Sequence, residues 1–523
     1  MPLIVSKATR KLVVPRTNAT VAMFPEAHNL THLNEDHLVI PHGLREYLML
    51  NHLGFKVPNP IGYYYNWPGG RPPFAVQKST CAMLTANPRS YVLNGMGTGK
   101  TKTALWAWDY LRGNGYAGKL LVVAPLSTLN FVWGREVFAT LPHRKVSILY
   151  GSKKRRLEKL ADPEAEIFII NHDGLRIIHK ELEARTDIDV LCLDELAVYR
   201  NNSDRSKLMR RFAVRFNWVW GLTGAPMPNE PTDVWSQCKI ITPNTVPKFF
   251  NQAREMLMIK QDQFRYIAKK DAVDNAFKMM QPSVRYSLED VLELPDTVSR
   301  TLDVDLSEDQ KKAYSKMATV FKTMIKDKVI TAVNAGSAMN KLLQVSTGWV
   351  YTTNPDFVEI DAAPRISLLL DLIEASEHKV LVFVPYRHAL AGLSKVFTGN
   401  DPSNPKVDHV VVHGDTADRD QIFNLFQNTA KYKVLLAHPQ CLAHGLTLTA
   451  ADTIIWYSPT ASLEIYEQAN ARIRRVGQKH KQQILHLQST PVEKKLYRLL
   501  RAKQKTQDQL LAMLEEATGE ANE

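Results

Sequence analysis

Cysteine is scarce in this chain. Four residues in 523 are Cys81, Cys192, Cys238 and Cys441, and none forms a C-x-x-C pair. That spacing excludes a disulfide framework and a zinc module built on paired cysteines, and it fits reduced thiols in a cytoplasmic setting. No apolar run approaches the ~20 residues that a membrane helix needs, which excludes a spanning segment of that kind. The N-terminus lacks an apolar secretion segment, so secretion is not expected. Low-complexity tracts and short-period repeats are missing too.

What is present is ordinary for a globular enzyme: 45% apolar and 23% charged residues. A chain of 523 residues is too long for one core and implies about three domains. Lys+Arg number 66 against 53 Asp+Glu, a net +13. Such an excess fits a polyanionic partner or simply a basic enzyme. Its distribution is more informative. Eleven Lys/Arg and one acid, Glu493, lie between Arg472 and Lys505, and five acids with no base follow to Glu523. A basic block with an acidic tail suggests a phosphate-facing surface and a solvated end. A second run, Lys153-Lys154-Arg155-Arg156, is either phosphate-facing or a solvated helix face.

Along the chain, strand-like runs (Lys11 to Val14, Thr20 to Phe24) and a helical stretch near Gly43 to Leu53 precede a Pro/Gly-rich boundary at residues 58–73. Apolar runs then alternate with helical patterns up to about residue 228, as in a doubly wound parallel sheet. Residues 229–345 read as mostly helical, with one strand-like piece, Thr297 to Val304. A second alternating series follows, and helix-like residues 491–518 close the chain. The expected domains are 1–60, a small N-terminal accessory region; 61–295, a first lobe with a helical insertion over about 229–295; 296–490, a second lobe with an insertion over about 305–345; and 491–523, a helix and acidic tail. The fold class is α/β, two tandem doubly wound parallel-sheet lobes.

The sharpest motif is Asn94-Gly95-Met96-Gly97-Thr98-Gly99-Lys100-Thr101, set between the apolar Tyr91-Val92-Leu93 and a helix-like segment. Strand, glycine-rich turn, Lys-Thr and helix form the layout of a phosphate-binding loop. Glycines let successive N–H groups face a triphosphate, the helix N-terminus adds partial positive charge, Lys100 reaches the β/γ-phosphates and Thr101 can ligate Mg²⁺. Asn94 stands where the strict pattern has Gly. A matching acidic pair, Asp194-Glu195, ends the apolar run Val190-Leu191-Cys192-Leu193. A carboxylate at the end of a buried parallel strand lies beside such a loop. Asp194 is placed to hold Mg²⁺ and Glu195 to deprotonate the attacking water.

The second lobe has no phosphate loop, so its contribution is of another kind. An arginine from outside the loop-bearing domain can meet transition-state charge on a γ-phosphoryl group. Arg472 and Arg475, in Gln468-Ala469-Asn470-Ala471-Arg472-Ile473-Arg474-Arg475-Val476-Gly477-Gln478, share one face if that segment is helical.

From about Phe74 onward these motifs resemble, in order, those of a compact Swi/Snf-type ATPase of helicase superfamily 2, similar to its annealing-helicase-like and viral members. Gln77 resembles the adenine-reading glutamine, and the phosphate loop resembles motif I. Leu121 to Leu129, with Trp133 and Glu136 following, resembles motif Ia; Ile169 to Leu175 resembles motif Ib. Asp194 to Ala197 resembles motif II. Leu222 to Asn229 resembles motif III, Val380 to Val384 motif IV, His438 to Asp452 motif V, and residues 468–478 motif VI. The chain departs from the family at Asn94 (usually acidic), Ala197 (usually His), Leu442-Ala443 and Thr447 (usually Gly-Gly and Asn), and Arg474 (usually His).

The resemblance implies two RecA-like lobes, ATP and Mg²⁺ as ligands, and DNA-dependent ATP hydrolysis that drives tracking along duplex or branched DNA with little sequence preference. It implies coupling roles for Thr223, Gly224, Gln468 and Gln478. It also implies DNA contacts from Ser127, Thr128 and Asn171 on the first lobe and Gly414, Gly445 and Thr447 on the second. Residues 1–60 are left for a possible protein partner. The expected setting is the cytoplasm, on a nucleoid or in a host cell if the chain is viral. The same motifs would serve a strand-separating helicase, a restriction-type motor subunit or an RNA-dependent ATPase, or a non-catalytic clamp switched by ATP.

Overall fold

Apolar runs of four to seven residues, each followed by a helical pattern, become parallel strands with helical crossovers. The structure, a computed structural model, describes residues 4–32, 35–262, 266–290, 295–326, 332–352, 357–402, 405–442, 447–475 and 477–502. The chain divides into two units, Met1–Val291 and Leu292–Glu523.

The first unit opens with a four-stranded antiparallel sheet of Ile4–Ser6, Lys11–Pro15, Glu35–Pro41 and His28–His32, in that spatial order. Leu12, Val14, Leu38 and Ile40 alternate inward and pack on Leu50 and Val57. The expected strand over Thr20 to Phe24 is instead the helix Asn18–Met23. A reciprocal cap decides this: Thr17 Oγ1 accepts from the Thr20 N–H at 3.1 Å, and the Thr17 N–H donates to Thr20 Oγ1 at 2.8 Å.

The rest of the unit is built on a seven-stranded, all-parallel sheet. Its spatial order is Ser283–Val284, Arg89–Val92, Trp218–Leu222, Ile188–Asp194, Lys119–Ala124, Ile167–Asn171 and Val146–Ile148. Central strands such as Ile167–Asn171 are buried on both faces, so they read as unbroken apolar runs. Separate apolar clusters cover the two faces, one around Phe168, Leu191 and Leu193, the other around Trp106, Val122 and Trp220. The stretch read as a helical insertion carries helices Val234–Ile241, Phe250–Leu257 and Ala272–Met279, and then returns to the sheet as its edge strand, Ser283–Val284. Two paired residues leave no periodic signal in a sequence.

The second unit holds a six-stranded, all-parallel sheet in the order Thr297–Asp303, Gln482–Gln488, Ala451–Trp456, Lys379–Phe383, Val434–Ala437, His409–Val412. The strand-like piece in the helical stretch is thus the edge strand of this sheet. The stretch read as an insertion, about 305–345, carries helices Glu308–Lys326 and Ala332–Thr347. The closing helix is described over Pro491–Arg501; the rest of the expected helix lies outside the described residues. Its Glu493 is fully buried and pairs with the equally buried Arg365 at 2.7 Å, with Ser346, Ser489 and Thr490 completing the network.

Candidate active site

The phosphate-loop residues take the conformation the glycines allow. Gly97 and Gly99 have φ of 79° and 85°, a region that L side chains rarely occupy. Helix Lys100–Gly113 starts immediately after Gly99, with Thr101 in its first turn. Lys100 Nζ folds back to donate to the Asn94 and Gly95 carbonyls at 2.9 and 3.1 Å. Thr98 Oγ1 donates to Gly95 O at 2.9 Å, and Met96 is half-buried. Gln77 is buried against the loop: its Oε1 accepts from the Phe74 N–H at 3.0 Å and its Nε2 donates to Thr98 O at 3.0 Å.

Asn94, the odd residue of the motif, has a structural job. It is 2% exposed, donates through Nδ2 to Thr80 Oγ1 at 3.0 Å and accepts through Oδ1 from the Tyr286 N–H at 3.0 Å. The Gly95 N–H donates to Tyr286 O at 2.7 Å. The loop is therefore pinned to the edge strand's extension, a partner 192 positions away that no local pattern signals.

Neighbouring strands bring the other motifs to the same end of the sheet. Leu222 sits in register between Val92 and Asp194, so residues just past 92, 194 and 222 converge. The Thr223 N–H donates to Val92 O at 3.1 Å, and Thr223 Oγ1 accepts from the Ala225 N–H at 3.2 Å. At Gly224 a Cβ would lie 3.5 Å from Lys100 Nζ, which places this glycine directly beside the lysine.

Asp194 is 8% exposed. Its Oδ2 accepts from the Trp133 indole N–H at 2.8 Å and its Oδ1 from the Glu195 N–H at 3.1 Å. Burial holds this carboxyl above the usual carboxylate range, opposed by the Trp133 hydrogen bond, the Lys100 charge and the Glu195 N–H. Such a carboxylate fits a cation: two lone-pair positions stay available, and added positive charge would relieve the desolvation that raises its pKa. Glu195 has φ of 50°, a left-handed conformation that costs about 1–2 kcal/mol for a residue with a Cβ. This strain turns the chain from the strand straight into the short helix Leu196–Tyr199. The sequence marked Trp133 only as part of a motif; its contact with Asp194 was not foreseen.

Of the first-unit residues assigned to DNA, Ser127 is exposed, whereas Thr128 is buried and its hydroxyl donates to Pro125 O at 2.9 Å. Asn171 precedes helix His172–Glu183 and is 9% exposed, its Oδ1 accepting from Arg156 Nη1 at 3.3 Å and not from the helix's first N–H groups. Arg156 itself is buried and also donates to the Gly151 and Leu149 carbonyls, so the Lys153–Arg156 run is not uniformly solvated.

In the second unit, helix Leu463–Asn470 ends before the two arginines, which lie in the turn beyond it rather than on a helix face. Each instead satisfies a carbonyl four residues back: Arg472 Nε donates to Gln468 O at 2.7 Å and Arg475 Nε to Ala471 O at 3.2 Å. Arg472 is 2% exposed; Arg475 is half-buried and its Nη1 donates to the exposed Thr447 Oγ1 at 3.3 Å. Burial pushes the Arg475 pKa down to about 10, which leaves it charged at neutral pH. Gln478 fixes the turn by donating to Ala451 O at 2.9 Å and Ile473 O at 3.2 Å, and Gln468 Nε2 donates to Glu464 Oε1 at 3.2 Å. Gly414 is exposed and its carbonyl accepts from Arg419; Gly445 lies outside the described residues.

The SNF2-related domain matches residues 84–352, just over half of the chain. The chain belongs to that family. The helicase conserved C-terminal domain matches residues 364–477, within the second unit of this SNF2-related chain. Among curated relatives, protein p41 of Acyrthosiphon pisum secondary endosymbiont phage 1 is 26% identical over 404 residues, 74% of this chain and 85% of its own length. The uncharacterized ATP-dependent helicase MG018 of Mycoplasma genitalium is 24% identical over 75% of this chain, and the ATP-dependent DNA helicase DDM1 of Arabidopsis thaliana 22% over 77%. The chain spans 37% and 59% of the lengths of these last two.

Proposed function

We propose that this SNF2-related chain is a DNA-dependent ATPase that hydrolyses ATP while tracking on duplex or branched DNA, remodelling DNA or nucleoprotein as it moves. The observation that carries the reading is the convergence of Lys100, Asp194, Glu195 and Gly224 beside a glycine loop at one end of a parallel sheet. The names of two relatives, an ATP-dependent helicase and an ATP-dependent DNA helicase, support it.

In this reading the N–H groups of Gly95–Gly99 and the start of helix Lys100–Gly113 cradle the triphosphate. Lys100 exchanges its two loop carbonyls for β/γ-phosphate oxygens. Thr101 and Asp194 would hold Mg²⁺, which would neutralise charge on the phosphoryl oxygens. Glu195 takes a proton from the attacking water as its oxygen bonds to the γ-phosphorus and the bond to the bridging oxygen breaks, releasing ADP. Arg472 and Arg475 meet the charge on the phosphoryl group in flight, a role worth about 10³–10⁵ in rate. Gln77 reads adenine and reports to the loop through Thr98. Thr223, Gly224, Gln468 and Gln478 transmit the state of the nucleotide to the DNA surfaces.

Those surfaces comprise Ser127, Thr128 and Asn171 in the first unit and Gly414, Gly445 and Thr447 in the second. Backbone N–H groups carry most of the contact, since the Thr128 hydroxyl and the Asn171 carbonyl are already engaged. Contacts of this kind read phosphates and not bases, which gives little sequence preference. Residues 1–60 are the segment open to a protein partner, and the working compartment is the cytoplasm.

The test is ATP hydrolysis measured in parallel with no nucleic acid, single strand, duplex, fork and RNA, with release of a labelled strand followed in the same reactions. Duplex or fork is expected to stimulate most, with no strand released. Stimulation by RNA above DNA, or no turnover under any condition, would contradict the reading.

A further inference from the structure

Beside the nucleotide site, the chain makes an unusual turn. Strand Lys119–Ala124 neighbours strand Ile188–Asp194 and ends at Pro125. A short helical turn, Leu126–Thr128, leads into a π-helical turn, Leu129–Gly134, in which the Arg135 N–H donates to Asn130 O five residues back. Helix Arg135–Thr140 continues from there. A π-turn holds one residue more than an α-turn, which rotates every side chain beyond it by about 100°. Such single turns occur frequently at functional sites.

The turn is closed by a glycine at which a side chain would be crowded. A Cβ on Gly134 would lie 3.3 Å from Leu129 O and 3.1 Å from Ile148 Cδ1. The product of this geometry is the position of Trp133. Its indole is fully buried, and the Nε1–H donates to Asp194 Oδ2 at 2.8 Å. Packing alone does not call for that contact, because a phenylalanine would fill most of the same space. A buried carboxylate, however, depends strongly on each donor it keeps. Only four residues separate Trp133 from Thr128, and the loop before it exposes Leu126 (54%) and Ser127.

We infer that Trp133 is a positioning residue: its indole N–H sets the orientation of the Asp194 carboxylate, and the π-turn makes that orientation answer to the Leu126–Thr128 loop. The inference rests on the ATPase reading above and specifies how the first unit's nucleic-acid face is wired to its metal carboxylate. A nucleic acid pressing on Leu126–Thr128 moves the turn, the turn moves the indole, and the indole moves the carboxylate.

The experiment is a double-mutant cycle on nucleotide affinity, using fluorescent ADP with and without Mg²⁺ on the full chain. Trp133→Phe is expected to leave Mg²⁺-free affinity within about twofold and to weaken the Mg²⁺-dependent gain about tenfold, the size of one hydrogen bond to a buried charge. In an Asp194→Asn background the same substitution should have no further effect on that gain. Gly134→Ala, which keeps the tryptophan side chain and crowds the turn that aims it, should reproduce part of the loss and serves if Trp133→Phe fails to fold. A second readout, the ratio of duplex-stimulated to unstimulated hydrolysis, should fall about tenfold in Trp133→Phe. A Mg²⁺-dependent gain unchanged in both variants, or a loss of equal size with Asn at 194, would overturn the inference alone. A gain lost with the stimulation ratio intact would remove the link to the loop. A wild-type protein with no Mg²⁺-dependent gain at all would overturn the inference together with the ATPase reading.

Discussion

Glu195 carries both the strain of a left-handed backbone and the proposed proton transfer, and the two belong together: the φ of 50° ends the strand directly after Asp194. Glu195→Gln keeps the shape and removes the base. It is expected to bind ATP as the wild type does and to lose about 10²–10⁴ in turnover, read by nucleotide titration beside steady-state hydrolysis. Full turnover in that variant would take Glu195 out of its role. At this scale the sequence was legible wherever chemistry dictates residue type. Glycines at 97 and 99, Lys100 and the acidic pair stand out as a motif, and the strand register brings them to one end of the sheet. The second layer was not legible. Asn94 bridging Thr80 and Tyr286, and Trp133 donating to Asp194, depend on contacts between distant segments that spacing does not encode.

Strands that are buried on both faces have one reading, and the central strands of both parallel sheets were visible as apolar runs. Elements set by local hydrogen bonds were not: the Thr17–Thr20 cap makes a helix of an apolar run that looked like a strand, and the turn after Asn470 takes Arg472 and Arg475 off the expected helix. In the second unit, strand Gln482–Gln488 carries a buried His486 between the Tyr466 hydroxyl (2.9 Å) and the Arg300 carbonyl (3.1 Å). The carbonyl can only accept, so Nδ1 carries the proton and Nε2 accepts from Tyr466, a neutral ring. Burial pushes its pKa down to about 4 from the ordinary 6.5. The unfolded chain therefore takes up a proton below about pH 6.5 that the folded chain refuses until about pH 4, and stability falls as pH drops through that window by up to about 3 kcal/mol. Urea unfolding at pH 7 and pH 5 should show the loss in the wild type and a smaller one in His486→Gln; equal losses would place the acid sensitivity elsewhere.

For the whole molecule, the net charge of +13 acquires a direction from the second unit. The one acid between Arg472 and Lys505, Glu493, is turned inward against Arg365, so among the described residues that basic block presents no carboxylate to solvent. Phosphate binding by such a surface releases counterions. With about six phosphate contacts, duplex affinity should fall about 10³-fold between 50 and 200 mM salt, measured by fluorescence anisotropy. A flat salt response would contradict phosphate-led binding. In the proposed reaction the Lys100 loop holds the triphosphate and the arginines of the other unit assist its turnover. Nucleotide affinity and duplex-stimulated hydrolysis of Arg475→Ala, measured side by side, decide whether they do. Affinity within about threefold of the wild type and turnover reduced about 10³-fold or more are expected; stimulated turnover at the wild-type rate would contradict the proposed role.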